Sequence, residues 1–198
     1  SPGVYFTKEI DPQSGRPLHK AEIRPIHGSW IEIMVSKNDH LSVRVDRRRK
    51  ISVTTLLRAI GFSSNEEIEA LFKDVDVDTD HPYIATTLLK DTSSNTDEAL
   101  LEFYEKIRPG EPAVLENAKN LLKQMFFDHR RYNLGAVGRY KTNKKLASFR
   151  SVSTDSTTLT KDDLVATIKY LISLQNGKGK TDDIDHLANR RLRQVGEL

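Results

Sequence analysis

Cysteine is absent from the 198 residues, which excludes disulfides, thiolate metal sites and cysteine nucleophiles. A reducing compartment is thereby permitted. No apolar run approaches the ~18–20 residues that a bilayer-crossing helix needs. The best candidate, 164–174, is short and interrupted by Lys169. The chain opens at Ser1-Pro2-Gly3 without an initiator Met, a basic n-region or an apolar h-region, and reads as a piece excised from a longer product.

Motifs for self-sufficient chemistry are missing as well. There is no Gly-x-Ser-x-Gly elbow. Gly179-Lys180-Thr181 ends like a phosphate loop, but Leu174 stands where the first glycine belongs, and the segment follows a helical pattern instead of a strand. Asp74, Asp76, Asp78 and Asp80 alternate, yet neither register supplies the glycine and glutamate of a calcium hand. They read as an acidic edge or hinge. The six histidines are scattered, with no second ligand at i, i+4. No catalytic residue and no metal ligand is expected.

Charge is plentiful and segregated. Lys and Arg number 31 against 28 Asp and Glu, so the total of +3 says little. Residues 63–119 hold 14 acids and 5 bases, a net of −9. Residues 129–150 hold seven bases and no acid, and 44–50 pack Arg44, Arg47, Arg48, Arg49 and Lys50 around Asp46. Such segregation suggests one face that attracts an anion, with solvated surface runs as the plainer alternative.

Period-two patterns predict strands at 4–7, 21–24, 30–35 and 41–45, forming an antiparallel sheet wet on one side. Helical signals follow. Thr54 or Thr55 could cap a short helix that Gly61 ends, and Ser64-x-x-Glu67 has the spacing of a capping box. Apolar stripes predict helices from about Thr96 to Ile107 and over 114–126. Thr160-x-x-Asp163 opens a last one, closed by Asn176-Gly177. The Ser- and Thr-rich stretch 147–158 reads as a loop. The fold class is α+β: an N-terminal antiparallel sheet followed by a helical, bundle-like portion. The chain is expected to form one domain, with a sheet-rich part (1–60), a helical part (61–175) and a return segment (176–198).

Several blocks occur in an order that resembles one family. They are Ser1-Pro2-Gly3-Val4-Tyr5-Phe6, Gly28-Ser29-Trp30, Val45-Asp46-Arg47-Arg48-Arg49-Lys50 and Arg108-Pro109-Gly110-Glu111-Pro112. Next come Arg131-Tyr132-Asn133-Leu134, Val137-Gly138-Arg139-Tyr140, Asn176-Gly177-Lys178-Gly179, Asp182-Asp183-Ile184-Asp185-His186-Leu187 and Asn189-Arg190-Arg191. Together they resemble the lobe (β2) region of the β subunit of bacterial DNA-directed RNA polymerase. Two positions depart from the family pattern: Ala188 replaces a usual Gly, and Asn133 a usual Asp.

The resemblance implies a part of a nucleotidyltransferase that acts in transcription, forming one jaw of the DNA cleft. Its partners would be downstream duplex DNA and the nontemplate strand, the rest of β including the protrusion domain, β′ and other subunits, and σ or other factors. It implies a cytoplasmic, nucleoid-associated complex with no membrane partner. The catalytic magnesium would be bound elsewhere, with no cofactor in this piece, which is expected to be monomeric. Nucleic-acid contacts would come from Trp30, Asp46, Arg47, Arg108, Arg131, Ile184, Asp185 and Arg190.

Each of these residues has a plainer role. Trp30 either offers a stacking platform for an unpaired base or anchors the sheet. If the strand continued, Arg47 and Arg49 would share one face and Arg48 would take the other. Arg108 and Arg131 either face a strand or pair with nearby acids. Asp185 either accepts the paired N–H donors of an extruded guanine, with Arg190 fixing it and Ile184 closing the pocket, or folds the return segment through ion pairs. A second functional class is a protein-interaction module whose basic stretches dock an acidic transcription factor.

Overall fold

The computed structural model describes residues 1–182. Five strands form an antiparallel meander in chain order: β1 (Gly3–Ile10), β2 (Pro17–Arg24), β3 (Ile31–Val35), β4 (Leu41–Val45) and the two-residue edge β5 (Ile51–Ser52). Alternation sends Ile31, Ile33 and Val35 into the core, all nearly solvent-free. The opposite face is not simply wet. Glu22 and Glu32 sit side by side across β2 and β3, a like-charge pair that would repel. Arg24 and Lys20 neutralise the first, and Arg44 reaches the second at 2.9 Å, so Glu32 ends up buried under a ladder of charges.

Seven α-helices follow: α1 (Val53–Ala59), α2 (Asn65–Phe72), α3 (Tyr83–Lys90), α4 (Thr96–Ile107), α5 (Leu115–Leu122), α6 (Gly135–Lys145) and α7 (Lys161–Gln175). This is the α+β order read from the sequence. Thr160 and Asp163 form the predicted capping box of α7, and Asn95 caps α4 by accepting from Glu98 N. Ser64 caps α2 through Glu67 N. Gly61, at φ +126°, ends α1 in a Schellman motif: its N–H reaches Arg58 O and the Phe62 N–H reaches Leu57 O.

Several expectations need correction. Thr54 and Thr55 do not cap α1, which begins at Val53; both hydroxyls donate to the buried Asp91 carboxylate instead. The helix over 114–126 stops at Leu122 and widens into a π-helical turn, Lys123–Phe127. That widening swings Phe126 inward against Phe103, at 6.0 Å between ring centres. The loop over 147–158 contains a 3-10 turn, Ala147–Phe149. The aspartate run guards no strand edge. Asp76 accepts from Tyr83 N and Ile84 N, so it caps α3 from upstream, and burial pushes its pKa up despite those two bonds.

One apolar core joins both parts. Helix α7 lies on β2 and α6 on β1, with Tyr170 stacked on Phe6 at 4.0 Å. Helices α1 and α4 pack together behind β5. No helix among the described residues is long and apolar enough to cross a membrane.

Candidate nucleic-acid interface

In a meander, alternate turns share an end of the sheet. The β2–β3 turn (25–30) and the β4–β5 turn (46–50) therefore lie together, at the end where β1 begins. Trp30 and Asp46 meet there. The Trp30 N–H donates to Asp46 Oδ1 at 2.9 Å, and the Asp46 N–H donates to Trp30 O at 2.9 Å. This reciprocal pair fixes the backbone of the tryptophan while its indole stays 47% exposed. Burial as a sheet anchor is thereby ruled out. The Arg24 guanidinium lies 5.1 Å from the indole ring centre and 4.6 Å from that of Tyr5, and its charge is also held by Glu22 at 2.7 Å.

The strand does not continue through the arginines. Asp46 and Arg47 both have positive φ, 49° and 59°, and the Arg48 N–H returns to Val45 O at 3.0 Å. These are the marks of a type I′ turn, whose twist suits a hairpin. The face-sharing expected for Arg47 and Arg49 therefore does not arise. Arg47 is exposed at the turn. Arg48 reaches sideways, and its Nη1 donates to Ile107 O at 2.8 Å. That bond caps the end of α4 with a cation, where carbonyls lack partners. It also brings the turn beside Arg108, the exposed residue that ends α4.

Arg131 arrives by a different route. Residues 26–27 and Asn133 form an isolated antiparallel bridge: the Ile26 and His27 N–H groups donate to Asn133 O, and the Asn133 N–H donates to His27 O. Gly28, at φ +123°, permits the approach. A Cβ there would lie 2.9 Å from both Arg131 O and the Tyr132 ring. Tyr132 is fully buried beneath, and burial raises its phenol pKa. Asn133 Oδ1 accepts from Gly135 N at 2.7 Å, so the amide that replaces the family's usual Asp still orders the start of α6. The Arg131 side chain is 63% exposed and meets Asp128 only at 3.9 Å.

Trp30, Asp46, Arg47, Arg108 and Arg131 are thus gathered at one end of the molecule. Neither Arg47 nor Arg108 makes an ion pair among the described residues, so pairing with the acidic helices is not their role. Ile184, Asp185 and Arg190 lie outside the described residues. Sequence reasoning passed over Arg24 and Arg48. The signal for Arg24 was its place on the face of Glu22, one strand-end from Trp30; Arg48 gave none.

The basic stretch 129–150 is less available than its composition suggests. Arg139 and Arg150 converge on Asp163, and Lys145 pairs with Asp182. Arg139 is only 4% exposed, and its five donors go to Asp163 twice, Asn143 Oδ1, Ser156 O and Thr158 O. Burial alone would raise the Asp163 pKa, but the Arg139 hydrogen bonds and the charges of Arg139 and Arg150 outweigh it and hold the carboxyl below its ordinary range. Among the described residues no cluster of three or more His, Asp or Glu side chains could hold a metal ion.

Comparison with known proteins identifies the family. The family description "RNA polymerase Rpb2, domain 2" matches residues 1–193. The chain is 50% identical over 198 residues to the DNA-directed RNA polymerase subunit beta of Syntrophomonas wolfei, with all of this chain and 17% of that protein covered. It is 45% identical over 226 residues to the corresponding subunit of Chloroflexus aggregans, and 45% over 199 residues to that of Dehalococcoides mccartyi, covering all of this chain and 18% and 16% of those proteins. It therefore spans about a sixth of the length of these relatives. A match across nearly the whole chain, on a sheet-then-helices fold whose Gly-Ser-Trp and Asp-Arg turns meet at one end, places this protein in the RNA polymerase Rpb2 domain 2 family, as a part of the bacterial β subunit.

Proposed function

We propose that this domain forms one jaw of the polymerase DNA cleft, guiding downstream duplex DNA and the nontemplate strand, with nucleotide addition and its magnesium located elsewhere in the enzyme. The observation that carries the reading is the Trp30 end. A half-exposed indole is locked at its backbone by Asp46, backed by Arg24, and flanked by exposed Arg47, Arg108 and Arg131. An aromatic plane beside unpaired guanidinium groups suits single-stranded nucleic acid: the base stacks and the phosphates meet the cations. An acidic protein partner would need the cations but not the open ring.

In this reading Asp185 supplies base identity. An ionised carboxylate only accepts, so it matches the adjacent N1–H and N2–H₂ of an extruded guanine and opposes the ring lone pair of cytosine or adenine. Arg190 fixes that carboxylate and Ile184 excludes water. The test uses whole polymerase and open complexes carrying each of the four bases at the contacted nontemplate position. Trp30→Ala should weaken binding of all four by about 1–3 kcal/mol, the scale of one lost stacking contact. Asp185→Ala should remove only the guanine preference, also roughly 1–3 kcal/mol. An unchanged affinity in Trp30→Ala would overturn the platform, and an equal loss for every base in Asp185→Ala would make that residue structural.

A further inference from the structure

Away from Trp30, the β5 edge of the sheet meets the C-terminal end of α3 and the flank of α4 in a groove of about 400 Å³. Lys50, Lys90 and Lys106 line it, together with His40, Ser42 and Ser52. None of the three lysines makes an ion pair among the described residues. The carboxylates at the margin are engaged. Asp91 has a fully buried side chain, accepts from Thr54, Thr55 and Ser93, and faces Arg58 at 3.3 Å. Glu102 accepts from the Thr92 hydroxyl at 2.7 Å. With the Asp91 charge answered from behind by Arg58, three ammonium groups stand against the single carboxylate of Glu102.

The resulting field is felt at His40, whose Nε2 lies 2.8 Å from Ser52 Oγ. Burial lowers the His40 pKa, and Lys90 and Lys50 push it further down against the opposing effect of Asp91. The groove also continues the interface described above. Arg48 ties its turn to Ile107 O, so Lys50 and Lys106 each lie within two residues of that bond.

We propose that this groove is a phosphate-binding site that seats one phosphodiester group of a DNA backbone. Ammonium groups carry three donors each without a planar fork, and with the Ser42 and Ser52 hydroxyls they suit a tetrahedral anion with several oxygens. A planar carboxylate is better matched by arginine forks, and among the described residues no arginine lines the groove. The phosphate chemistry stands on the groove alone; the choice of DNA as its source rests on the interface reading.

The imidazole of His40 reports occupancy. It faces Lys50 at the end of the β4–β5 turn and Ser52 on β5, Lys90 and Asp91 at the end of α3, and Glu102 and Lys106 on α4. The 198-residue chain is titrated by NMR with inorganic phosphate, with potassium chloride at matched ionic strength, with duplex DNA and with polyglutamate. Bound phosphate should raise the His40 pKa by roughly one unit, the scale of one nearby opposite charge. Chloride should not. The Lys50→Ala, Lys90→Ala double variant should lose the phosphate response while keeping its melting temperature.

Absence of a His40 response to phosphate, an equal response to chloride, or an undiminished response in the double variant overturns the site. Duplex DNA acting below the phosphate concentration supports a backbone source; phosphate acting alone overturns it. A stronger response to polyglutamate than to phosphate overturns the proposal in favour of an acidic protein. If Trp30→Ala leaves oligonucleotide binding unchanged while His40 still answers phosphate, the interface reading fails and this site stands.

Discussion

At the junction of α6 and α7, Arg139 and Arg150 close on Asp163, whereas at the Trp30 end Arg47 and Arg108 reach no carboxylate among the described residues and Arg131 meets one only at 3.9 Å. Both regions are arginine-rich in sequence. In the first, every donor of Arg139 is taken, and Asp163 accepts three hydrogen bonds, two from Arg139 and one from Thr160 N, with the Arg150 guanidinium beside it as an ion pair. In the second, the guanidinium groups of Arg47, Arg108 and Arg131 stand in solvent near an open indole. An arginine becomes structural when backbone carbonyls and a buried acid surround it, and available for a ligand when the chain turns away beneath it. Local charge density does not distinguish the two.

The largest effect should come from breaking the buried network. Asp163→Ala leaves the buried Arg139 guanidinium without a carboxylate partner, while Arg150 keeps Asp162, and should cost about 3–5 kcal/mol in a denaturant melt. Arg47→Ala should stay within about 0.5 kcal/mol of the parent. Equal losses in the two would erase the distinction between the regions.

Acid reads the same network. The Asp163 and Asp91 carboxyls are both held below their ordinary value of 3.8, so each binds its proton less readily in the folded chain. Their stabilisation is fully present above that value and is lost as pH falls through it towards the lowered folded values. Melting temperature should therefore drop steeply below about pH 4. The drop should be shallower in Asp163→Asn, and an identical acid limb in that variant would assign the loss to other groups.

Gly28→Ala tests the close approach that brings Arg131 to the Trp30 end. Its positive φ and the 2.9 Å approach to Arg131 O leave no room for a methyl group, so the loss should be about 1–3 kcal/mol, with weaker oligonucleotide binding at temperatures where the chain stays folded. Full stability in that variant would mean that the bridge to Arg131 yields easily.

The smallest effect belongs to the exposed arginines. Binding of DNA by the 198-residue chain should be weak, on the order of 10⁻⁴–10⁻⁶ M at physiological salt. Arg47→Ala and Arg131→Ala should each lower the slope of log affinity against log salt by about 1. An unchanged slope in both would remove them from the phosphate contacts.

What was legible in the sequence follows from which physical signal each element carries. Strands β1 to β4 and helix α7 announce themselves by alternation and by Thr160 with Asp163, whereas β5, with two residues, is too short to show a period. Helix α6 does not, because its buried positions are Gly138, Arg139 and Thr142, and a polar stripe has no hydrophobic period. Helix α3 is hidden for a related reason: its cap, Asp76, comes from outside the local window. Trp30 and Asp46 enter as candidate site residues through the family resemblance. Their mutual hydrogen bonds were not legible, since they depend on two turns sharing one end of a sheet. The bond from Arg48 to Ile107 O was not legible either, because positive φ at Asp46 and Arg47 ends the strand alternation before it.

The bridge between His27 and Asn133 carries a kinetic consequence. The meander can pair strand by strand from neighbouring segments, as a low-contact-order nucleus, while this bridge must wait for a long intervening loop to be drawn closed. On refolding, the sheet should gain protection from hydrogen exchange before the Trp30 end acquires its Arg131 flank. A chain emerging in synthesis would present its indole long before Arg131 stands beside it.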